Sequence, residues 1–199
     1  MYKLIIRLSL FCFGVFLLGI GISCFIVSGL GSDAMSTFAQ GIAKKLSISQ
    51  ADGNNIISLS MVVLAFMLDR RQIGIGTIIQ PFICSLSIQL GMELLPKTSG
   101  ISSYIIYFIG LLLMSISIAI TAEINCGKTP YDALAFALMK RFNKKYNIVR
   151  WIQDLAMLII GIMLGGTYGF GTIITLLLLG TIAMLMMQGI KKICFQITE

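Results

Sequence analysis

Gly74-Ile-Gly-Thr-Ile-Ile79 returns as Gly169-Phe-Gly-Thr-Ile-Ile174, identical at five of six positions. Two further blocks keep the same order and nearly the same spacing, about 96 residues. Gly31-Ser-Asp-Ala-Met-Ser36, leading into Lys44-Lys45, returns as Gly127-Lys-Thr-Pro-Tyr-Asp132, leading into Lys140-Arg141. Gly14-Val-Phe-Leu-Leu-Gly-Ile-Gly-Ile22 returns as Gly110-Leu-Leu-Leu-Met-Ser-Ile-Ser-Ile118. The pattern predicts one domain over residues 1–199 made of two repeats, 1–97 and 98–199. Many secondary transporters are built from internal repeats and bind their substrate where the repeats meet.

The medium in which these repeats fold is set by composition. Hydrophobic residues make up 57% of the chain and charged residues 12%, about half the charge of an ordinary soluble domain. Mean hydropathy is +0.96. An all-α, polytopic membrane protein follows, with the lipid bilayer as its first partner. The net charge of +7 falls in short loops, where it orients the chain and meets anionic headgroups; it does not point to nucleic acid. Histidine is absent, which removes the commonest metal ligand and general base, so neither a metal nor a cofactor is expected. The five cysteines, Cys12, Cys24, Cys84, Cys126 and Cys194, lack CxxC spacing and read as small packing residues. The basic-then-apolar start reads as a retained first helix, because it has a counterpart at 103–122.

Six apolar runs approach the ~20 residues that a helix needs to cross a hydrocarbon core. They are 7–29, 54–69, 73–92, 103–122, 149–165 and 170–189. Two equivalent segments, 33–46 and 129–142, lie between runs and open on helix-start signals. Thr129 offers an N-cap hydroxyl, Pro130 the first helical position and Asp132 a carboxylate at N3; Asp33 is the cap of the other. Both end in basic residues, which suit a C-terminal dipole. Thirteen residues at ~1.5 Å each reach about 20 Å, too short to cross, so both read as re-entrant or interfacial half-helices. With six spans and a cytoplasmic N-terminus, 12 of 15 Lys and Arg lie inside; eight spans give the same number. The charge of the equivalent loops favours six. Residues 31–52 are neutral overall, whereas 123–150 carry six basic and two acidic residues. Three spans per half would make the repeats inverted, with both termini cytoplasmic.

Ionisable groups in apolar helices are costly and therefore functional suspects. Asp154 is one; it reads equally as a carboxylate paired with Arg150 one turn earlier. Asp33 and Asp132 read first as capping groups and second as groups facing a central cavity. Gln80 and Gln153 read as polar contacts between helices. A half-helix N-terminus favours an anionic group, yet ends already furnished with carboxylates suit a cation, an amine or a proton equally. The glycine pairs Gly74/Gly76 and Gly169/Gly171 read as sites of close packing, since no strand precedes them to make a phosphate loop. Gln80-Pro81 marks a break or kink in the first copy alone.

The chain resembles the bacterial YczE/YyaS/YitT-type membrane proteins. The likeness is carried by Gly29-Leu-Gly-Ser-Asp-Ala-Met-Ser-Thr-Phe38, Gly127-Lys-Thr-Pro-Tyr-Asp-Ala-Leu134 and Arg70-Arg-Gln-Ile-Gly-Ile-Gly-Thr77. Relatives often have proline where Ala34 stands. The resemblance implies a bacterial inner-membrane protein and supplies no catalytic residues.

Two functions are expected from these readings. The first is a transporter or exporter of a small molecule, with Asp33, Asp132, Asp154, Gln80 and Thr129 along its path. The second is a non-transporting protein that regulates or assembles with a partner or lipid through the basic loop at 140–150. No nucleophile–base pair or metal cluster supports an enzyme. A homodimer is an option for so small a bundle.

Overall fold

The computed structural model describes residues 2–124 and 126–198. Within them lie eight α-helices, one short 3₁₀ turn (Arg70–Gln72) and no strand. The helices are α1 (Tyr2–Ser28), α2 (Ala34–Leu46), α3 (Gln50–Leu68), α4 (Ile75–Leu94), α5 (Ile101–Glu123), α6 (Pro130–Phe142), α7 (Tyr146–Met163) and α8 (Phe170–Thr198). Five of them, α1, α3, α4, α5 and α8, are long and apolar enough to cross a membrane. The run at 149–165, expected as a sixth, falls almost wholly within α7 (Tyr146–Met163). In its first turns Tyr146, Arg150, Gln153 and Asp154 form a polar face turned towards α6.

Small residues fix how the long helices run. Phe11 meets Gly76, Gly19 meets Cys84 and Ser87, and Ser23 meets Gly91, so α1 and α4 run parallel. Gly14 meets Ile120 and Thr121, while Gly21 meets Gly110 and Met114, so α5 runs antiparallel to α1. The bundle therefore has a Phe11 end and a Phe25 end. At the Phe25 end Tyr107, its ring centroid 4.9 Å from that of Phe25, donates its hydroxyl to the Gly171 carbonyl at the start of α8. A core of Phe11, Val15, Phe25, Ile88, Tyr107 and Leu111 ties α1, α4 and α5 together. A second core of Ala39, Ile57, Met61, Ala65, Tyr131 and Leu134 joins α2, α3 and α6. Outward faces such as Val63, Leu86, Leu112 and Leu177 remain exposed, as lipid contact requires.

The two short helices begin as their sequences predict. Asp33 caps α2 by accepting the Ser36 N–H at 3.3 Å, and Thr129 caps α6 by accepting the Asp132 N–H at 3.1 Å. Each ends on a left-handed residue, Ser47 (φ 55°) and Asn143 (φ 50°), a C-terminal stop. They occupy opposite ends of the bundle. The Lys44 ammonium near the end of α2 donates to the Gly165 carbonyl just beyond α7, at the Phe25 end. Lys140 near the end of α6 pairs with Asp69 at 3.0 Å, at the Phe11 end. The packing is crossed as well: α2 lies along α7, and α6 along α3.

Crossing also governs the glycine pairs. The Gly76 N–H donates to the Cys126 carbonyl at 2.8 Å, and the Gly171 N–H to the Leu30 carbonyl at 2.8 Å. Each Gly-x-Gly-Thr block thus receives the loop that leads into the other half's short helix. Those loops turn at Gly31 (φ 109°) and Gly127 (φ 116°), a conformation that side chains rarely adopt. The pairs serve close packing, of helix start against loop as well as helix against helix, since Gly76 also meets Phe11 of α1 and Gly171 meets Tyr107 of α5. Pro81 does not break its helix: α4 is continuous from Ile75 to Leu94. Proline forfeits one backbone hydrogen bond there; the bonds of Gly76 and Thr77 to the 126–128 loop hold the helix before the gap, and packing of Cys84 and Ile88 in the first core holds it after.

Four cysteines are free: Cys24 and Cys84 are buried, Cys12 and Cys126 partly so. The Cys194 side chain lies outside the described residues.

A cavity between the two short helices

The starts of α2 and α6 open onto one cavity of about 590 Å³. Asp33, Gln80, Thr129, Asp132 and Asp154, singled out from the sequence in both halves, all line it. Gly74, Gly76, Gly169 and Gly171 do not; they hold the loops at 126–128 and 30–31 on which the short helices start. Gln153 stays behind the wall, its amide donating to the Tyr131 carbonyl at 3.1 Å. Of the two glutamines, then, one joins helices and the other faces the cavity.

The side of the cavity from the second half is ionic. Arg150 bonds Asp132 at short range, and its Nε lies 3.5 Å from Asp154. Its guanidinium also stacks over the Tyr131 ring, 4.2 Å from the centroid. Asp132 accepts further from the Thr129 hydroxyl at 2.9 Å and the Tyr146 hydroxyl at 2.8 Å. Asp154 accepts the Tyr131 hydroxyl. Asp154 thus pairs with Arg150 on its own helix and also lines the cavity. Helical spacing creates the cluster, since Tyr146, Arg150 and Asp154 recur every four residues on one face of α7. Lys128 is not itself on the wall; its ammonium sits 3.4 Å from the centre of the ring of Phe136, which is.

The side from the first half is neutral apart from Asp33. Ser36, Asn54 and Ser58 line the cavity there. In the duplicated numbering they stand where Asp132, Arg150 and Asp154 stand in the second half. Several of its polar atoms lack partners: Asp33 Oδ1, Ser36 Oγ and Gln80 Oε1. Ser36 and Gln80 are 1% and 7% exposed. Leu18, Ile22, Met114, Leu176 and Met184 complete the walls, with Trp151 at the rim. Large volume, apolar walls and a few convergent polar groups are the marks of a small-molecule site. Sequence reasoning missed Tyr131, Tyr146, Ser36, Asn54 and Ser58. The i, i+4 spacing from Arg150 back to Tyr146 was a usable signal for one of them; the others read as ordinary helix residues.

Among the described residues no group of three or more His, Cys, Asp or Glu is placed to hold an ion. The cavity brings charge, hydrogen-bond acceptors and apolar surface into one space.

The model of a family of unknown function, DUF6198, matches residues 5–188. An uncharacterized protein of Haemophilus influenzae is 27% identical over 187 residues, covering 94% of this chain and 85% of that protein. The uncharacterized protein YyaS of Bacillus subtilis is 26% identical, covering 90% of this chain and 91% of its own. The uncharacterized membrane protein YczE of the same organism is 24% identical, with 90% and 85% covered. No solved structure matches.

Proposed function

The chain belongs to this DUF6198 family, and from the geometry of its cavity we propose that it is a small-molecule transporter or exporter of the bacterial inner membrane. In this reading 1–97 and 98–199 are inverted repeats, α7 crosses the membrane as a sixth span, and both termini are cytoplasmic. The crossed contacts support it: each Gly-x-Gly-Thr block seats the other half's loop, and α2 and α6 occupy opposite ends. Alternating access needs two elements that exchange contacts around a fixed central site, and transporters commonly build that site from short helices whose N-termini meet at mid-depth.

The observation that carries the proposal is the single cavity shared by the N-termini of α2 and α6 and holding Asp33, Asp132, Arg150 and Asp154. Intramembrane charge of this kind is costly, and where it persists it characteristically marks a substrate or ion path. The test is charge movement in proteoliposomes on a solid-supported membrane, challenged with a panel of small cationic, anionic and neutral solutes. At least one solute should give a saturable current that Asp132→Asn and Asp154→Asn abolish, with both variants inserted at wild-type levels. Undiminished currents in both variants would overturn the proposal, as would silence to the whole panel.

A further inference from the structure

We propose that the ligand of the central cavity is an amphiphilic organic monocation, a primary or secondary ammonium carried on an apolar body, with its charge held at the Asp33 side. This deepens the transport reading and rests on it for its biology, but the binding claim stands on the site itself.

The unpartnered atoms choose the sign. Asp33 Oδ1 and Gln80 Oε1 can only accept hydrogen bonds from a ligand, and the Ser36 hydroxyl can accept as well. Ser36 and Gln80 are almost wholly buried, so each unmade bond costs free energy that a ligand N–H would recover. The groups that would receive an anion are already engaged. Arg150 is held between Asp132 and Asp154, and Lys128 sits against Phe136. With its side chains ionised the cavity sets three carboxylates against one guanidinium. The N-termini of α2 and α6 add about half a positive charge each, which leaves roughly one negative charge to be matched. A monocation fits that balance, and the leucine and methionine walls fit an apolar body.

Trp151, the one tryptophan of the chain, lies at the cavity rim, where its fluorescence can report occupancy. The intact protein in detergent would be titrated with phenethylammonium, 2-phenylethanol and phenylacetate, three probes of one shape and different charge. The ammonium should change Trp151 fluorescence saturably and raise the melting temperature, with the alcohol and the acid at least about tenfold weaker. Asp33→Asn keeps a competent cap residue and so should fold normally while weakening the ammonium at least about tenfold. Gln80→Glu, which adds a carboxylate, should tighten it. Equal binding of the acid or alcohol, no saturation by the ammonium, full affinity in folded Asp33→Asn, or the same signal from sodium ions alone would each overturn the assignment. Ammonium binding without solute-driven current would remove the transport reading and leave the cation site standing; currents carried by anions would do the reverse.

Discussion

Arg150 holds together more of the cavity wall than any other side chain described. It joins Asp132 to Asp154 and covers the Tyr131 ring, so three groups lose a partner when it is removed, and the two carboxylates lose their counter-charge. Breaking a partly buried pair costs more than never having built it, because the carboxylates stay behind uncompensated. Arg150→Met is therefore expected to destabilise the protein by about 2–3 kcal/mol in detergent unfolding. Adding Asp132→Asn and Asp154→Asn to it should restore part of the loss; a triple variant less stable than the single would contradict this. A second charged contact sits at the Phe11 end. The Asp69 carboxyl is held down to about 2 from an ordinary 3.8 by hydrogen bonds from Gln72 and then Lys140, outside the long helices. Its pKa is depressed by folding, so its stabilising effect is complete above the ordinary value and fades as pH falls through the depressed one. The stability difference between wild type and Asp69→Asn should accordingly shrink between about pH 4 and about pH 2, read by thermal unfolding at stepped pH. A constant gap would exclude that origin.

The short helices were almost fully legible in the sequence, because their caps are local chemistry. Asp33 and Thr129 are the N-caps expected, and the predicted spans 33–46 and 129–142 include the cap residue of each. What was not legible is what a helix meets. Pro81 carries a local rule, that proline ends helices, which tertiary packing overrides in α4. The neutral polar residues Ser36, Asn54 and Ser58 carry no charge to single them out, although their alignment with Asp132, Arg150 and Asp154 was there to be read; only packing brings them to the cavity wall. The glycine pairs show the same division. Their duplication was visible, while their partner, a loop from the opposite half, was not. A Cβ added at Gly76 would stand 2.8 Å from the Phe11 ring and 2.9 Å from the Cys126 carbonyl oxygen; at Gly171 it would stand 2.5 Å from the Tyr107 ring and 2.8 Å from the Leu30 carbonyl oxygen. Gly76→Ala and Gly171→Ala are each expected to cost about 1–3 kcal/mol, since backbone cannot yield as a flexible side chain does. Gly180→Ala in α8 meets nothing within 4 Å and should cost nothing, which makes it the control in the same melting series.

At the scale of the whole molecule, the placement of the short helices at opposite ends predicts how the chain sits in a membrane. Lys45 and Arg141, the exposed equivalents near their C-termini, are better labelling sites than Ser47 and Asn143, whose left-handed backbone would strain a cysteine. Single cysteines at these positions, in a background without the native five, should react with an impermeant maleimide from opposite faces. Reaction from one face would refute the inverted arrangement and with it the case for alternating access. The crossed seating of the glycine blocks carries a further meaning for where such a protein can come from. A free-standing half would present a loop without its cradle and a cradle without its loop; under the proposed inverted arrangement its complement would be another half inserted upside down. A gene encoding only one half would then need its product to enter the membrane in both orientations at once; joining two copies end to end would remove that demand, and the +4 charge of residues 123–150 against the neutrality of 31–52 would be the trace of each copy committing to a single orientation.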